Sequence, residues 1–119
     1  MKNTMKHWKG TKYDLELYRL QADLCRVFCD PTRLIIISEL RDSEKTVGDL
    51  VKILEIPQAA VSRHLGILRH QGMVTPRHQG TSVYYRLNDS KIAKACDLVH
   101  EILLNQIEKN GELARKLAH

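Results

Sequence analysis

Cys25 and Cys29 stand four residues apart in the stretch LCRVFCDPTRL, just ahead of an Asp-Pro pair and a near-solid apolar run. On one helix such a pair holds its β-carbons about 6 Å apart on a shared face. The helix keeps their side-chain vectors nearly parallel, which is awkward for a disulfide between them and suits two thiolates gripping one soft ion. The third cysteine is Cys96, with His100 one helical turn beyond it. A different chemistry is offered by Gln58, Ala59, Ser62 and Arg63, which share a face if residues 58–71 are helical. Arginine reads guanine through two hydrogen bonds, glutamine reads adenine, and alanine or serine lets a helix backbone approach a groove floor. Ala60 is small as well and leaves that approach open.

The elements that must position these residues follow from apolar periodicity. Residues 13–29 read as a helix with a stripe of Leu17, Leu20, Leu24 and Val27 beside a second stripe of Tyr18, Ala22, Cys25 and Cys29. Two stripes imply two partners, the chain's own core and a second subunit. Asp30 is a good N-cap and Pro31 is at home in a first helical turn, so a new helix is expected over 32–41. With Leu34, Ile35, Ile36, Ile37 and Leu40 it is apolar nearly all round and belongs at the centre. Thr46 caps a short helix, 47–54, with Asp49 in its first turn. The turn EIPQ leads into the helix 58–71, whose inner face is Val61, Leu65 and Leu68 and whose stop is Gly72. The period then falls to two. Val83, Tyr85 and Leu87 alternate with Ser82, Tyr84 and Arg86, and Gln79-Gly80-Thr81 is the hairpin turn. Asn88-Asp89-Ser90 caps a long last helix with Ile92, Cys96, Val99, Leu103 and Gln106 in a heptad-like line, flanked by Ala95, Leu98 and Ile102. Such a line wants a long helical partner, as a second copy of the chain would supply.

The sum is a mainly α chain with a small β-hairpin: a winged helix-turn-helix of five or six helices plus a two-stranded wing. Residues 1–12 read as a mobile basic arm, 13–108 as the domain with dimerising first and last helices, and 109–119 as a C-terminal tail. The wing tip, RHQGTS, brings Arg77, His78 and Gln79 to a phosphate or a minor groove. A formal net charge of +5 favours a polyanionic partner, here double-stranded DNA. The longest apolar run, LIIIS, falls far short of the ~20 residues of a membrane span. The basic start has no apolar stretch behind it and does not read as a secretion signal. Three cysteines are too few and uneven for a disulfide scaffold and fit reduced thiols in the cytoplasm. No Ser-His-Asp set, phosphate loop or dinucleotide fingerprint is present, and Glu101 and Glu108 read as solvated helix faces, so an enzyme is not expected. A metal-storage or redox carrier would have no use for the wing.

Asp30-Pro31-Thr32-Arg33 opening the central helix, Val61-Ser62-Arg63-His64-Leu65 in the reading helix and Arg77, Gly80 and Tyr85 in the wing resemble the ArsR/SmtB family of metal- and stress-sensing repressors. The resemblance runs from Leu20 to Val99. It implies a homodimer joined by first and last helices, a two-fold operator read by two helices about one DNA turn apart, and repression relieved by an effector. It puts Gln58, Ala59, Ser62 and Arg63 on base-facing positions and Arg77, His78 and Gln79 on the wing. His64, three residues after Val61, has two readings: a DNA contact, or packing at the domain edge.

The effector sites known from the family do not transfer. Thr46 and Gly48 stand where one design has a Cys-x-Cys pair. Asp89 matches the first ligand of a second design, but Lys91, Ile102 and Asn105 replace the others; Ile67 and Gln71 replace the cysteines of a third. What remains is Cys25, Cys29 and Cys96. The resemblance packs the last helix against the first, so three sulfurs can converge, within a subunit or across the dimer. Three thiolates suit As(III), Sb(III), Cd or Zn, and His100 would complete a zinc-type set of three sulfurs and one nitrogen. Two other readings stand beside this one. The thiols can form a redox or sulfur-species switch, which needs a depressed thiol pKa. Or they are small apolar filler at helix contacts.

Overall fold

Four of the six described α-helices start on a side chain that satisfies their first free N–H groups. In the computed structural model, which describes residues 8–118 and, for 112–114, the backbone alone, α1 (Lys12–Cys25) opens on a Thr11–Asp14 capping box. Asp30 caps α2 (Pro31–Glu39), accepting from the N–H groups of Thr32 at 2.8 Å and Arg33 at 3.3 Å. Thr46 and Asp49 form a second capping box at α3 (Val47–Leu54), with bonds of 3.0 and 2.9 Å. After α4 (Gln58–His70) the chain forms β2 (Val74–Gln79) and β3 (Ser82–Leu87), then α5 (Ser90–Asn110), capped by Asp89, and α6 (Glu112–Ala118).

The wing is larger than expected. A two-residue strand, β1 (Lys45–Thr46), pairs antiparallel with β3, giving a three-stranded sheet in the order β1-β3-β2. Gln79 pairs with Ser82, so the hairpin turn is Gly80-Thr81. Gly80 has φ +60°, and Glu55 is the only non-glycine with positive φ among the described residues, so the turn is of the II′ kind with glycine first.

The core lies behind α4. Ile36, Ile37, Leu50, Val61, Leu65 and Leu68 are fully buried, and Val27, Leu40, Met73 and Val74 close around them. Three expectations need correction. The helix expected over 13–29 stops at Cys25, and Arg26–Phe28 tighten into a 3-10 turn. The cause is Pro31: it bars Asp30 from helical geometry, and Asp30 is extended at φ −139°, ψ 127°. The last carbonyls are then met by tighter bonds, such as Cys29 N–H to Arg26 O at 3.0 Å. Secondly, α2 is not enclosed all round in the single chain, since Leu34 and Ile35 are 40% and 46% exposed. Thirdly, α1 buries none of its residues, and of the two expected stripes only Val27, in the 3-10 turn beyond it, is buried in the chain's own core. The seven residues 1–7 of the expected arm, and His119 of the expected tail, lie outside the described residues.

Candidate nucleic-acid interface

The helix-turn-helix is built around a three-residue turn, Glu55-Ile56-Pro57, between α3 and α4. Glu55 takes the left-handed conformation that ends α3, at φ 55° and ψ 42°, Ile56 packs on the core, and Pro57 starts α4. No side chain caps α4, and while Ala60 N–H donates to Pro57 O at 3.0 Å, the N–H groups of Gln58 and Ala59 stay open to an outside acceptor. Val61, His64, Leu65 and Leu68 are buried, and the opposite face is solvent-exposed. That face carries Gln58, Ala59, Ser62 and Arg63, as the sequence predicts, while Ala60 is half-buried on the flank. The face also continues through Gly66, Arg69 and His70, which sequence reasoning did not assign. The signal was available, since 62, 66 and 69 follow helical steps. A Cβ at Gly66 would meet nothing within 4 Å, so the backbone is open to close approach there.

His64 belongs with the core, not with the presented face. Its ring is 5% exposed. Arg33 Nη1 lies 3.3 Å from its Nδ1 and Arg63 Nη2 lies 3.4 Å from its Nε2. Burial lowers its pKa; Asp30 pulls the other way, while Arg63 and Arg33 reinforce the shift. A neutral imidazole has one acceptor nitrogen. If Nδ1 accepts from Arg33, which is itself anchored to Val27 O at 2.8 Å, then Nε2 carries the proton and faces a second donor on Arg63. Arg63 is thereby left available to an acceptor outside the protein.

At Arg77 the wing holds contacts that the sequence does not show. Its Nε and Nη2 engage both carboxylate oxygens of Glu44, at 2.7 to 3.0 Å, and its Nη1 donates to Gln79 Oε1 at 2.6 Å. The guanidinium also sits 4.9 Å from the centre of the Tyr84 ring. The Glu44 carboxylate raises the Arg77 pKa, and Arg77 lowers that of Glu44. Arg77 is therefore a brace that ties β2 to the loop before β1. His78 and Gln79 are exposed next to the turn, as expected.

The three cysteines do not form one cluster in the chain. Among the described residues no group of three or more His, Cys, Asp or Glu side chains is placed to hold a metal ion. Cys25 ends α1, Cys29 follows the 3-10 turn, and both are exposed; Cys29 Sγ rests 3.7 Å from Cys25 O. The pair is thus not carried on one regular helix, which removes the fixed spacing assumed for it. Cys96 is half-buried against the core, beside the Arg41–Asp97 ion pair, whose two bonds measure 2.6 and 2.7 Å. Burial raises the Cys96 thiol pKa, Asp97 adds to this, and Arg41 opposes it. His100, one helical turn beyond Cys96, is exposed.

A short helix, a three-residue turn, a second helix with a small polar outer face and a hairpin braced beside it define a winged helix-turn-helix regulator. Residues 30–75 match the family described as bacterial regulatory protein, arsR family. The chain is 36% identical over 104 residues to the arsenical resistance operon repressor of Escherichia coli, covering 85% of this chain and 87% of that one. It is 36% identical over 97 residues to the transcriptional repressor SmtB of Mycobacterium tuberculosis, covering 82% and 67%. Its fold matches the homodimeric winged helix-turn-helix DNA-binding domain Mb0332 of Mycobacterium bovis with a TM-score of 0.74 at 22% identity, over 87% and 96% of the two chains. The chain belongs to the ArsR family of bacterial regulatory proteins. No helix among the described residues is long and apolar enough to cross a membrane.

Proposed function

We propose that the chain is a cytoplasmic, homodimeric repressor that binds a two-fold operator in double-stranded DNA and releases it when an effector acts on its thiols. The observation that carries the reading is α4. One face is fully buried, while the other offers Gln58, Ala59, Ser62, Arg63 and Gly66 with no bulky apolar side chain. The free N–H groups at its start suit a DNA phosphate, and His78 and Gln79 at the wing tip suit the neighbouring backbone. The second copy is supported by the apolar surface of α1 and of the outer half of α5.

For the effector, a thiophilic metal or metalloid such as As(III) fits the exposed Cys25 and Cys29, whose turn is short enough to bend around one ion. The kinship with an arsenical resistance repressor points the same way. One chain does not bring Cys96 to them, so a three-sulfur set requires a second copy. The redox alternative asks Cys96 to ionise, and burial works against that. Filler describes Cys96, which packs on the core, better than the two exposed thiols.

The test is duplex selection from a random pool followed by anisotropy titration. Arg63→Ala should weaken the selected duplex by about 10- to 100-fold and relax base preference at one position of each half-site. Unchanged affinity and preference would refute the assigned reading face. Arsenite should release DNA from the wild type but not from the Cys25→Ser, Cys29→Ser variant.

A further inference from the structure

Arg33 adds a polar link between the 3-10 turn and α4, beside the core contact that Val27 makes. A cleft of about 380 Å³, lined by Asp23, Arg26, Val27, Arg33, Ile67 and Gln71, lies between the end of α1 and the back of α4. The Arg33 guanidinium spans it. Its Nε donates to Val27 O at 2.8 Å and its Nη2 to Arg26 O at 3.3 Å, both carbonyls of the 3-10 turn between Cys25 and Cys29. Its Nη1 lies 3.3 Å from Nδ1 of His64, inside α4. The Arg26 carbonyl also accepts from Cys29 N–H at 3.0 Å. A short polar chain therefore runs from the Cys29 backbone through Arg26 O and Arg33 to the His64 ring, and the Arg63 guanidinium lies 3.4 Å from the other ring nitrogen, donor facing donor.

We propose that Arg33 is the positioning residue that couples the Cys25–Cys29 turn to the DNA-reading helix. A guanidinium is a rigid planar fork with its donors at fixed angles. It cannot follow a shift of the two turn carbonyls and keep its hold on His64. Any ligand that draws Cys25 and Cys29 together must reshape the turn, because Cys29 N–H and Cys29 Sγ both bond to that turn's own carbonyls. The fork then tilts, the His64 ring loses its acceptor contact, and Arg63 and the α4 backbone shift relative to the groove. The inference rests on the reading of α4 as the DNA-reading helix and of the turn as the effector site.

The experiment has one arm for each half. In the first, the full-length dimer, Arg33→Lys, His64→Gln and the double variant are titrated with the selected duplex and a scrambled one. Each single change should raise Kd for the selected duplex about 5- to 20-fold, and the double change should be no worse than the worse single one. The salt slope should stay at its wild-type value, since neither side chain meets a phosphate. Multiplying effects, or a flattened salt slope, would overturn the proposal. In the second arm, phenylarsine oxide bridges Cys25 and Cys29 with loss of water, and loading is read by mass. Loaded wild type should release DNA; loaded Arg33→Lys and loaded His64→Gln should release it much less. Equal release from loaded variants would overturn the coupling. If loaded wild type holds its DNA while the first arm is non-multiplicative, the effector reading fails and the positioning role of Arg33 stands. The two variants cut the link from opposite ends, so a folding defect in one, seen by thermal melting, leaves the other to decide.

Discussion

His64 sits where only one of its two ring nitrogens can be satisfied by the cations around it, and that has a pH consequence. Its ordinary pKa is 6.5, and burial, assisted by Arg63 and Arg33 against Asp30, lowers it in the folded chain. Between the lowered value and 6.5 the unfolded chain binds a proton that the folded chain refuses. The contribution is therefore complete above the unfolded value and is lost as pH falls through the folded one. Urea midpoints should drop from about pH 7.5 to about pH 5.5, and His64→Gln should remove part of that slope. A slope unchanged in the variant would assign the acid sensitivity to other groups. Glu44 offers a second test at this scale. As a brace on Arg77 it should matter to DNA only through the wing, so Glu44→Gln should raise Kd about 3- to 10-fold with an unchanged salt slope. A gain in affinity would mean instead that Glu44 competes with phosphate for Arg77. The inward position of His64 was one of two readings open in the sequence, and burial among Val61, Leu65 and Leu68 selects it. The role of Arg77 was not legible there, because its partner is 33 residues away and only the fold brings Glu44 to it.

Local chemistry sets the element boundaries, and two residues isolate its size. Thr46 caps α3 with its side chain and, within β1, pairs through its backbone with Tyr84 of the wing, so one residue serves both halves of the reading unit. Thr46→Ala removes the side-chain acceptor for Asp49 N–H and should cost about 1 kcal/mol. Chemical denaturation reads this, and the wing amides near Tyr84 should lose hydrogen-exchange protection with it. Gly72 ends α4 at φ +76°, where an added Cβ would meet nothing within 4 Å. Gly72→Ala is therefore a pure backbone test, with an expected loss of about 1–2 kcal/mol. A negligible loss would mean that the chain past α4 adopts another conformation. The caps at Asp30, Thr46 and Asp89 and the stop at Gly72 could be read in advance because each is a short-range pattern of residue types. β1 could not, since a two-residue strand has no period and exists only by pairing with β3. The end of α1 was misplaced for a related reason. The apolar stripe runs on to Cys29, while the constraint imposed by Pro31 acts backwards along the chain.

For the whole molecule, the radius of gyration is 17.3 Å, well above the ~13.5 Å of a compact chain of this length. The excess comes from helices that leave the body. α1 exposes Leu15, Leu17, Tyr18 and Leu20, and α5 changes character along its length. Ala93 is buried and Ile92 and Cys96 pack on the core, but Leu98 and Ile102 are 61% and 57% exposed. The line expected to meet one partner is thus divided, its first half holding the chain's own domain and its second half left for another surface. Apolar area of this extent on projecting helices is unstable in water unless covered. Coverage by a second copy would also fix the distance between the two α4 helices, and a two-fold site needs that distance near 34–36 Å. Ile102→Glu places a charge on the outer half of α5, away from the core. It should shift the sedimentation profile from dimer to monomer while the thermal transition of the winged domain persists. Its affinity for a two-fold duplex should fall about 100-fold, towards that for a half-site, because the linked second contact is lost. A monomeric variant that binds both duplexes as the wild type does would show that α5 sets association alone and that each wing and reading helix acts independently on DNA.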